Sequence, residues 1–358
     1  MTVTEDVSAE PIPVGAHSHL LRVVEVIEET HDARSVVFEI PAEQAERFSY
    51  EPGQFLTLRI PSDRTGSVAR CYSLASSPHT DGILKVTAKR TADGYGSNWL
   101  CDNVFAGMTI EVLPPAGLFV PGSLDDDLLL FAAGSGVTPV MAILKSALAK
   151  GNGQVVLIYA NRDERSVIFA AELRELAAEH PRRLRVIHWL ESVQGLPNRA
   201  QLEELARPFA CYQAFICGPG PFMDVSTHAL RELGMDRHQI HIELFQSIVG
   251  DPFDSTPTVI AEEDAGTAAT VEVDLDGTVH NLDWPADILL LDLLLDKGID
   301  APFSCRQGAC SACACILKEG KVKMLVNDIL DEQDLEEGYI LACQSLPTTE
   351  TVKVTYSE

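Results

Sequence analysis

The sequence has 358 residues, of which 46% are hydrophobic and 22% are charged, and its formal net charge is −26 at pH 7. This length and composition indicate a globular protein of two or three domains, and the negative charge argues against a nucleic-acid partner. The first 13 residues lack the apolar segment of a secretory signal, and the apolar runs are too short to span a bilayer. We therefore expect a cytoplasmic protein without a membrane segment.

The negative charge is concentrated towards the C-terminus. Residues 251–358 contain 22 Asp and Glu against 6 Lys and Arg, a net of −16, which leaves −10 for the longer remainder. A field of that sign favours a partner with a basic face. The contribution of charge to solubility explains this negative charge equally well.

Short strands dominate the first third of the chain. Four segments rich in β-branched and aromatic residues are bounded by turn residues, at 21–26, 35–40, 54–60 and 84–89. This pattern indicates a small antiparallel barrel, which we assign to residues 17–123, after a flexible tail at 1–16.

Strands alternate with helices from about residue 125. Predicted strands at 128–133, 155–160, 184–190 and 214–217 are separated by predicted helices at 140–149, 169–179 and 200–205. Such alternation indicates a parallel sheet covered by helices, which we assign to residues 124–250.

The last third begins with a predicted linker at 251–268, which is rich in Pro, Asp, Glu and Thr. A hairpin turning at Asp276-Gly277, a helix at 288–297, a second hairpin turning at Glu319-Gly320 and a closing strand at 351–356 follow. They predict a compact α+β unit over residues 269–358.

Three cysteines in one loop and a fourth near the C-terminus form the most specific pattern in the chain. Cys305, Cys310 and Cys313 have the spacing C-x4-C-x2-C, and Cys343 follows after 29 intervening residues. Plant-type [2Fe–2S] centres have this pattern, because two bridged irons need four thiolates. We therefore predict that these four cysteines ligate a [2Fe–2S] cluster.

Zinc and disulfide bonds are the alternatives for these cysteines. A zinc site usually has paired C-x2-C motifs or a mixture of Cys and His, and disulfide bonds are uncommon in the cytosol. Cys315 fits neither pattern, so we predict that it is buried on the strand after the loop.

Two segments of the predicted barrel suit a flavin. In R-C-Y-S at 70–73, the arginine suits a diphosphate, the tyrosine suits a flat ring and the serine hydroxyl suits a ring nitrogen. In G-Y-G-S at 94–97, glycines and a serine precede an apolar helix, whose N-terminus offers N–H groups to phosphate. The two segments together indicate a flavin site.

The sequence G-S-G-V-T-P at 134–139 lies between an apolar strand and a helix, where glycines allow a pyrophosphate to approach. Pro139 stands in place of the third glycine of G-x-G-x-x-G, so a tight connection explains the segment equally well. The next strand ends in Asn161-Arg162-Asp163, in which Arg162 favours a 2′-phosphate and Asp163 opposes one. We expect NADH, with NADPH as the alternative.

The sequence C-G-P-G-P-F-M at 217–223 follows another strand of the predicted parallel sheet, at the end where such sheets bind ligands. Its Gly and Pro residues favour close approach of a ligand, although a buried Cys217 also suits an ordinary core. Glu243 and Phe245 follow at the edge of this unit, where both suit ordinary surface and core positions as well.

Taken in chain order, these motifs resemble those of the ferredoxin–NADP reductase superfamily with a plant-type ferredoxin domain fused behind it. The resemblance covers nearly the whole chain after residue 17 and is strongest to the reductase components of bacterial oxygenases, through 70–74, 91–101 and 342–345. It implies an FAD-binding antiparallel β-barrel, a nicotinamide-binding α/β domain and a β-grasp ferredoxin domain.

The same resemblance implies roles for individual residues. FAD would be bound by Arg70, Tyr72, Ser73, Gly96, Ser97 and Phe245, of which Phe245 replaces a tyrosine that many relatives have. NADH would be bound by Gly134, Gly136, Thr138, Asn161, Arg162, Cys217, Gly218 and Pro219. Ser73, Cys217 and Glu243 would lie at the reacting atoms.

The expected activity is electron transfer from NADH through FAD and the [2Fe–2S] cluster to a Rieske-type oxygenase. Steroid ring degradation is the implied pathway, and a monomer is the expected state. The alternatives are a reductase of another oxygenase, such as phenylacetyl-CoA epoxidase, and a non-catalytic redox-sensing or zinc-binding module. Arg306 and Gln307, beside the first cluster ligand, are predicted to dock the oxygenase.

Overall fold

The computed structural model describes residues 17–254, 258, 260–261 and 263–356. The predicted tail at 1–16 lies outside these residues, as do 255–257, 259 and 262 of the predicted linker and the last two residues of the chain. In the described part of the chain, no helix is long and apolar enough to cross a membrane.

The first region is an antiparallel sheet that closes into a barrel. Its strands are β1 (His19–Thr30), β2 (Ala33–Glu39), β3 (Phe55–Ser62), β4 (Gly66–Ser73), β5 (Leu84–Lys89) and β6 (Thr109–Val112), in the order β4-β3-β6-β1-β2-β5. Leu74, directly after β4, pairs with Val86 of β5 and so joins the two edges of the sheet. Apolar side chains from all six strands fill the interior. The predicted barrel is confirmed, with β4 and β6 added to the predicted strands.

Helix α1 (Tyr95–Asn103) lies against this barrel. Its Leu100 and Cys101 are buried in the barrel core, which fixes the N-terminus of the helix beside β4. The helix therefore brings the second flavin motif to the first.

The second region is a parallel sheet with helices on both faces. The strands are β7 (Leu128–Ala133), β8 (Val155–Asn161), β9 (Leu184–Leu190), β10 (Gln213–Cys217) and β11 (Ile240–Glu243), in the order β11-β10-β7-β8-β9. The helices are α2 (Val137–Lys150), α3 (Ala170–Glu179), α4 (Glu191–Gln194), α5 (Arg199–Ala206) and α6 (Gly220–Glu232). Every residue of β7 and β8 is buried, because separate apolar cores cover the two faces. The predicted α/β region is confirmed.

The third region is a mixed five-stranded sheet packed on a short leucine-rich helix. Strands β12 (Ala269–Leu275), β13 (Thr278–Trp284), β14 (Ala314–Glu319), β16 (Tyr339–Leu341) and β18 (Thr351–Thr355) form the order β13-β12-β18-β14-β16, and β15 (Val322–Met324) pairs with β17 (Ser345–Pro347). Helix α7 (Leu290–Asp296) buries six consecutive residues under the sheet, and α8 (Glu332–Glu336) precedes β16. The α+β prediction is confirmed, and Cys315 is buried on β14 as predicted.

The predicted hairpin at Glu319-Gly320 is wrong. The chain does turn there, with Gly320 in a left-handed conformation at φ +89°. Both edges of β14 are already paired, one with β16 and the other with β18, so β15 pairs with β17 instead.

The three regions are packed together through buried contacts. Ala69 and Leu113 of the barrel belong to the apolar core of the third region, as does Phe253 from the predicted linker. Arg237 of the second region pairs with Asp331 at 2.6 Å in the third. The cofactor motifs therefore have fixed positions relative to one another.

Candidate redox site

The two flavin motifs meet where α1 packs on β4. A Cβ on Gly96 would lie 2.8 Å from Cγ of Arg70 and 3.5 Å from the hydroxyl of Tyr72. Any larger residue would push the arginine away, so glycine allows the helix N-terminus to approach both side chains. The structure thus brings Arg70, Tyr72 and Gly96 into one cradle with phosphate-binding chemistry.

The remaining polar groups of this cradle are held by local hydrogen bonds. Arg70 donates to the carbonyl oxygens of Ala69 and Ile248, at 2.6 and 3.1 Å. The Ser97 hydroxyl accepts a hydrogen bond from the Thr91 N–H at 3.2 Å. The Arg70 bonds fix its guanidinium group, and the Ser97–Thr91 bond holds the loop before α1.

A small open pocket lies between the barrel, the end of β11 and the cysteine loop. Its lining includes Ser73 from β4 and Glu243 and Phe245 from the end of the second region. Ser73 is 4% exposed, whereas Phe245 is 51% exposed at the pocket. A half-exposed aromatic ring beside a buried hydroxyl suits a flat heteroaromatic group such as a flavin.

Two ionisable groups meet on the nucleotide side of this pocket. Cys217 and Glu243 are direct neighbours on the parallel strands β10 and β11. Removal from water raises the pKa of Glu243 to about 8 and raises the pKa of Cys217 well above its ordinary value. Both shifts favour the neutral forms of these groups.

The two glycine-containing nucleotide loops touch each other. A Cβ on Gly136 would lie 2.1 Å from the carbonyl oxygen of Cys217 and 2.7 Å from the backbone nitrogen of Gly218. The Thr138 hydroxyl donates to the carbonyl oxygen of Ser135 at 3.0 Å and closes the first loop. Because β7 and β10 are adjacent, the loops form one surface at the C-terminal edge of the sheet, where such sheets bind nucleotides.

Gly134 and Pro219 complete these loops. Gly134 has a left-handed φ of +54°, and Pro219 directly precedes α6. Both lie at helix N-termini, where backbone N–H groups favour an anion.

The end of β8 carries the groups predicted to meet the nucleotide ribose. Asn161 is 7% exposed, and within the described residues its amide lies near Tyr159 but makes no hydrogen bond of normal geometry. Arg162 pairs with Asp32, which lies in the turn between β1 and β2 of the barrel, at 2.5 Å. An unpaired buried amide is costly unless a ligand completes it, so Asn161 fits a nucleotide-binding role.

Lys89 belongs to this site and was missed from the sequence. It ends β5 of the barrel, and its amine lies 3.4 Å from the Cβ position of Gly134. Burial lowers the pKa of Lys89, while the nearby Asp32 opposes that shift. A cation beside a glycine loop suits a pyrophosphate, but a lysine at the end of a strand carries no sequence signal.

The four predicted cluster cysteines lie together. The Cys310 and Cys305 sulfurs are 3.1 Å apart, and the Cys343 thiol lies close to the thiols of Cys305 and Cys313. Within the part of the chain that the structure describes, no three His, Cys, Asp or Glu side chains surround a single metal-ion position. The contacts run from Cys310 through Cys305 and Cys343 to Cys313, so the four thiols that a two-iron cluster needs lie together.

Backbone and amide groups point at these sulfurs. The Gln307 N–H donates to the Cys305 sulfur at 3.3 Å, and the Cys305 N–H donates to the Cys310 sulfur at 3.5 Å. The Gln344 amide lies 3.7 Å from the Cys343 sulfur. Donors in these positions stabilise thiolate ligands and influence the potential of a cluster.

The docking prediction for Arg306 and Gln307 is not supported by their contacts. Arg306 has a left-handed φ of +56°, and its guanidinium pairs with the buried Asp292 and with the Asp254 carbonyl. The Gln307 side chain accepts a hydrogen bond from the Val249 N–H. Both side chains hold the loop in place within the chain.

The cluster loop forms one wall of the flavin pocket. Cys305, Ala309 and Cys310 line the same pocket as Ser73 and Glu243. Cys71 of the R-C-Y-S motif and Cys310 pack against the same small apolar cluster, and both line the pocket. No further protein layer therefore lies between the flavin side of the pocket and the cysteines.

Family comparisons match each region separately. An oxidoreductase FAD-binding domain matches residues 20–120, an oxidoreductase NAD-binding domain matches 130–228, and a 2Fe-2S iron-sulfur cluster binding domain matches 273–348.

Curated relatives match the chain over almost its full length. A protein from Rhodococcus rhodochrous, described as 3-ketosteroid-9-alpha-monooxygenase, ferredoxin reductase component, is 61% identical over 96% of this chain and 99% of its own length. The corresponding protein of Mycobacterium tuberculosis strain H37Rv is 56% identical over 99% of this chain and 100% of its own length. One component of the 1,2-phenylacetyl-CoA epoxidase of Escherichia coli is 34% identical over 94% of this chain and 97% of its own length.

Among solved structures, phthalate dioxygenase reductase has the same fold. It superposes with a TM-score of 0.55 at 22% identity, covering 94% of this chain and 98% of that one.

The barrel, the parallel sheet and the four-cysteine region define a flavin- and iron–sulfur-containing oxidoreductase that uses a nicotinamide cofactor. Such a protein carries electrons from NADH through FAD and a [2Fe–2S] cluster to an oxygenase. Within that class, the chain belongs to the family of ferredoxin reductase components of 3-ketosteroid 9α-monooxygenases.

Proposed function

We propose that the acceptor is a Rieske-type oxygenase that hydroxylates 3-ketosteroids at the 9α position during steroid ring degradation. Support for the substrate pathway comes from relatives of 56–62% identity that carry this name. The observation that carries the electron route is the pocket shared by flavin-motif residues and the cluster cysteines. We also propose a cytoplasmic location, in keeping with nine cysteines that form no disulfide bonds, and a monomeric state.

When bound, FAD accepts a hydride from NADH and releases its electrons singly, which matches a one-electron cluster. The chain binds and orients the reactants. We assign FAD binding to Arg70, Tyr72, Ser73, Gly96, Ser97 and Phe245. We assign nucleotide binding to Lys89, Gly134, Gly136, Thr138, Asn161, Arg162, Cys217, Gly218 and Pro219. We assign the cluster to Cys305, Cys310, Cys313 and Cys343.

Ser73, Cys217 and Glu243 are proposed to act where the nicotinamide and flavin rings meet. Ser73 and Glu243 line the pocket, and Cys217 lies beside Glu243 at the end of the adjacent strand. The three side chains supply a hydroxyl and two groups whose raised pKa values favour the neutral form, so they would place little negative charge beside a bound flavin.

The proposed domain boundaries are 17–123, 124–250 and 269–358, with a linker at 251–268. The sheets support them, because β1 to β6, β7 to β11 and β12 to β18 each fall within one range. Phe253 of the linker is 5% exposed and packs in the third region, so part of this segment contributes to the core.

Reconstitution tests the proposed acceptor. Purified protein is combined with NADH, oxygen and either a 3-ketosteroid oxygenase component or the oxygenase component of a phenylacetyl-CoA epoxidase. We expect hydroxysteroid product in the first mixture and background epoxide in the second. Efficient epoxide formation without hydroxysteroid would assign the chain to the rival system.

Metal analysis tests the remaining alternative of a zinc-binding or sensing module. We expect iron and acid-labile sulfide in the ratio of a [2Fe–2S] cluster, together with bound FAD. Zinc without flavin would overturn the assignment.

A further inference from the structure

A buried polar contact joins strands β3 and β4, the second of which carries the R-C-Y-S motif, to the residue just before the first cluster cysteine. The Thr57 hydroxyl on β3 lies 2.8 Å from the Ser304 hydroxyl, and the Cys71 sulfur on β4 lies 3.3 Å from the same Ser304 oxygen. Thr57 and Cys71 are cross-strand neighbours, with their side chains 3.6 Å apart. We call Thr57, Cys71 and Ser304 the hydroxyl bridge.

The hydroxyl bridge lies in a dry interface. Thr57 and Ser304 are each 1% exposed. Phe55, Ala116 and Ala312 form an apolar cluster beside the bridge, against which Cys71 and Cys310 pack. Polar groups in such surroundings depend on one another, because no water replaces a lost partner.

An ion pair between the barrel and the third region is more exposed than this bridge. Arg47 pairs with Asp300 at 2.5 Å, but these side chains are 46% and 50% exposed. Exposed ion pairs contribute little to a defined geometry, because water and salt replace them. The hydroxyl bridge differs in its burial and in its position, one residue before Cys305.

We propose that Thr57 and Ser304 are positioning residues for electron transfer from flavin to cluster, because their hydrogen bond holds the cysteine loop against β3, the strand paired with β4 and its R-C-Y-S motif. Cys71 contributes to the bridge and also lines the pocket. The proposal rests on the assignment of FAD to this pocket but not on the identity of the oxygenase. Neither hydroxyl donates electrons or ligates iron, and each acts through the loop that it holds.

Thr57→Val removes one hydroxyl of the pair at nearly constant volume. Thr57→Ser keeps the hydroxyl and serves as the conservative rescue, and Ser304→Ala removes the other partner. The matched control is Thr87→Val, since Thr87 forms a similar buried pair with Ser35 at 2.7 Å inside the barrel, away from the cysteine loop. Cys71 is left intact because its substitution would also alter the pocket.

The variants are mixed anaerobically with NADH, and flavin and cluster absorbance are followed separately. We expect Thr57→Val and Ser304→Ala to slow cluster reduction by roughly tenfold, the population change that follows from losing one buried hydrogen bond. Flavin reduction by NADH and the cluster midpoint potential should stay at wild-type values. Thr57→Ser should restore the rate, and Thr87→Val should not change it.

Hydrogen exchange gives a readout that is independent of turnover. Backbone amides of residues 304–310 should exchange faster in Thr57→Val and Ser304→Ala than in the wild type or Thr87→Val. Wild-type cluster reduction in both bridge variants would overturn the proposal, as would a slow rate accompanied by a shifted cluster potential. If Thr57→Val fails to fold, the rate of cluster reduction and the cluster potential of Ser304→Ala alone decide whether the proposal holds. Loss of flavin reduction would instead count against the placement of FAD.

Discussion

Replacing Gly136 with alanine tests whether the two nucleotide loops must touch. The added Cβ would lie 2.1 Å from the carbonyl oxygen of Cys217 and 2.4 Å from its carbonyl carbon. Non-bonded atoms pack at about 3.5–4.0 Å, so the loops would have to separate by about 1 Å or more. Both opposing atoms are backbone atoms, so no side-chain rotation relieves the clash. The strain should cost about 1–3 kcal/mol of folding free energy.

The larger effect should be on the reaction with NADH. A displacement of about 1 Å at reacting groups costs roughly 100-fold in rate, and Cys217 belongs to the displaced loop. Anaerobic stopped-flow reduction of the flavin by NADH measures the loss, while FAD content and the cluster spectrum report folding. Gly122→Ala is the control, because no atom lies within 4 Å of its Cβ position. If the folded Gly136→Ala variant reduced its flavin with NADH at the wild-type rate, contact between the two nucleotide loops would not be required for this reaction.

Three further substitutions probe separate parts of the site. Cys310→Ser should abolish electron delivery to the oxygenase and spare NADH-dependent dye reduction; equal loss of both, with FAD bound, would contradict the order of carriers. Asp32→Asn frees Arg162 and should reduce the preference for NADH over NADPH by roughly tenfold, so an unchanged ratio of kcat/KM values would exclude this ion pair as a determinant. Flavin reduction should slow as pH rises through about 8, where Glu243 gains its charge, and Glu243→Gln should remove that dependence; a persisting dependence in this variant would assign the titration elsewhere.

The pKa of Glu243 also has a consequence for stability. Its folded-state pKa lies above the ordinary value of 4.5, so the folded protein binds this proton more tightly than the unfolded chain does. The corresponding stabilisation is complete below pH 4.5 and is lost as pH rises through about 8.

The sequence predicted those features that depend on local pattern. The spacing of Cys305, Cys310 and Cys313 fits one tight loop, and strand β16 brings Cys343 to it. The barrel and the parallel sheet could be predicted from the spacing of apolar segments, because each strand has to bury its apolar residues. The turn at Gly320 was predicted, but strand pairing depends on which sheet edges are free, and local sequence does not show that.

Contacts between distant segments were not predictable from the sequence. The Thr57–Ser304 hydrogen bond joins residues 247 positions apart, and the pair of Asp32 and Arg162 joins residues 130 positions apart. Threonine, serine and aspartate at these positions are ordinary residues of strands and turns. For Arg306 the sequence suggested a role that its contacts do not support. A charged residue beside a cluster ligand suggested docking, but Arg306 forms a largely buried ion pair with Asp292.

The central claim is that electrons pass from NADH to FAD and then to the cluster across one shared pocket. Anaerobic rapid mixing of the purified protein with NADH tests it most directly, with flavin and cluster absorbance recorded in the same experiment. We expect the flavin to bleach first and the cluster to follow without added mediator. Cluster reduction that precedes flavin reduction, or a reduced flavin beside a cluster that stays oxidised, would contradict it.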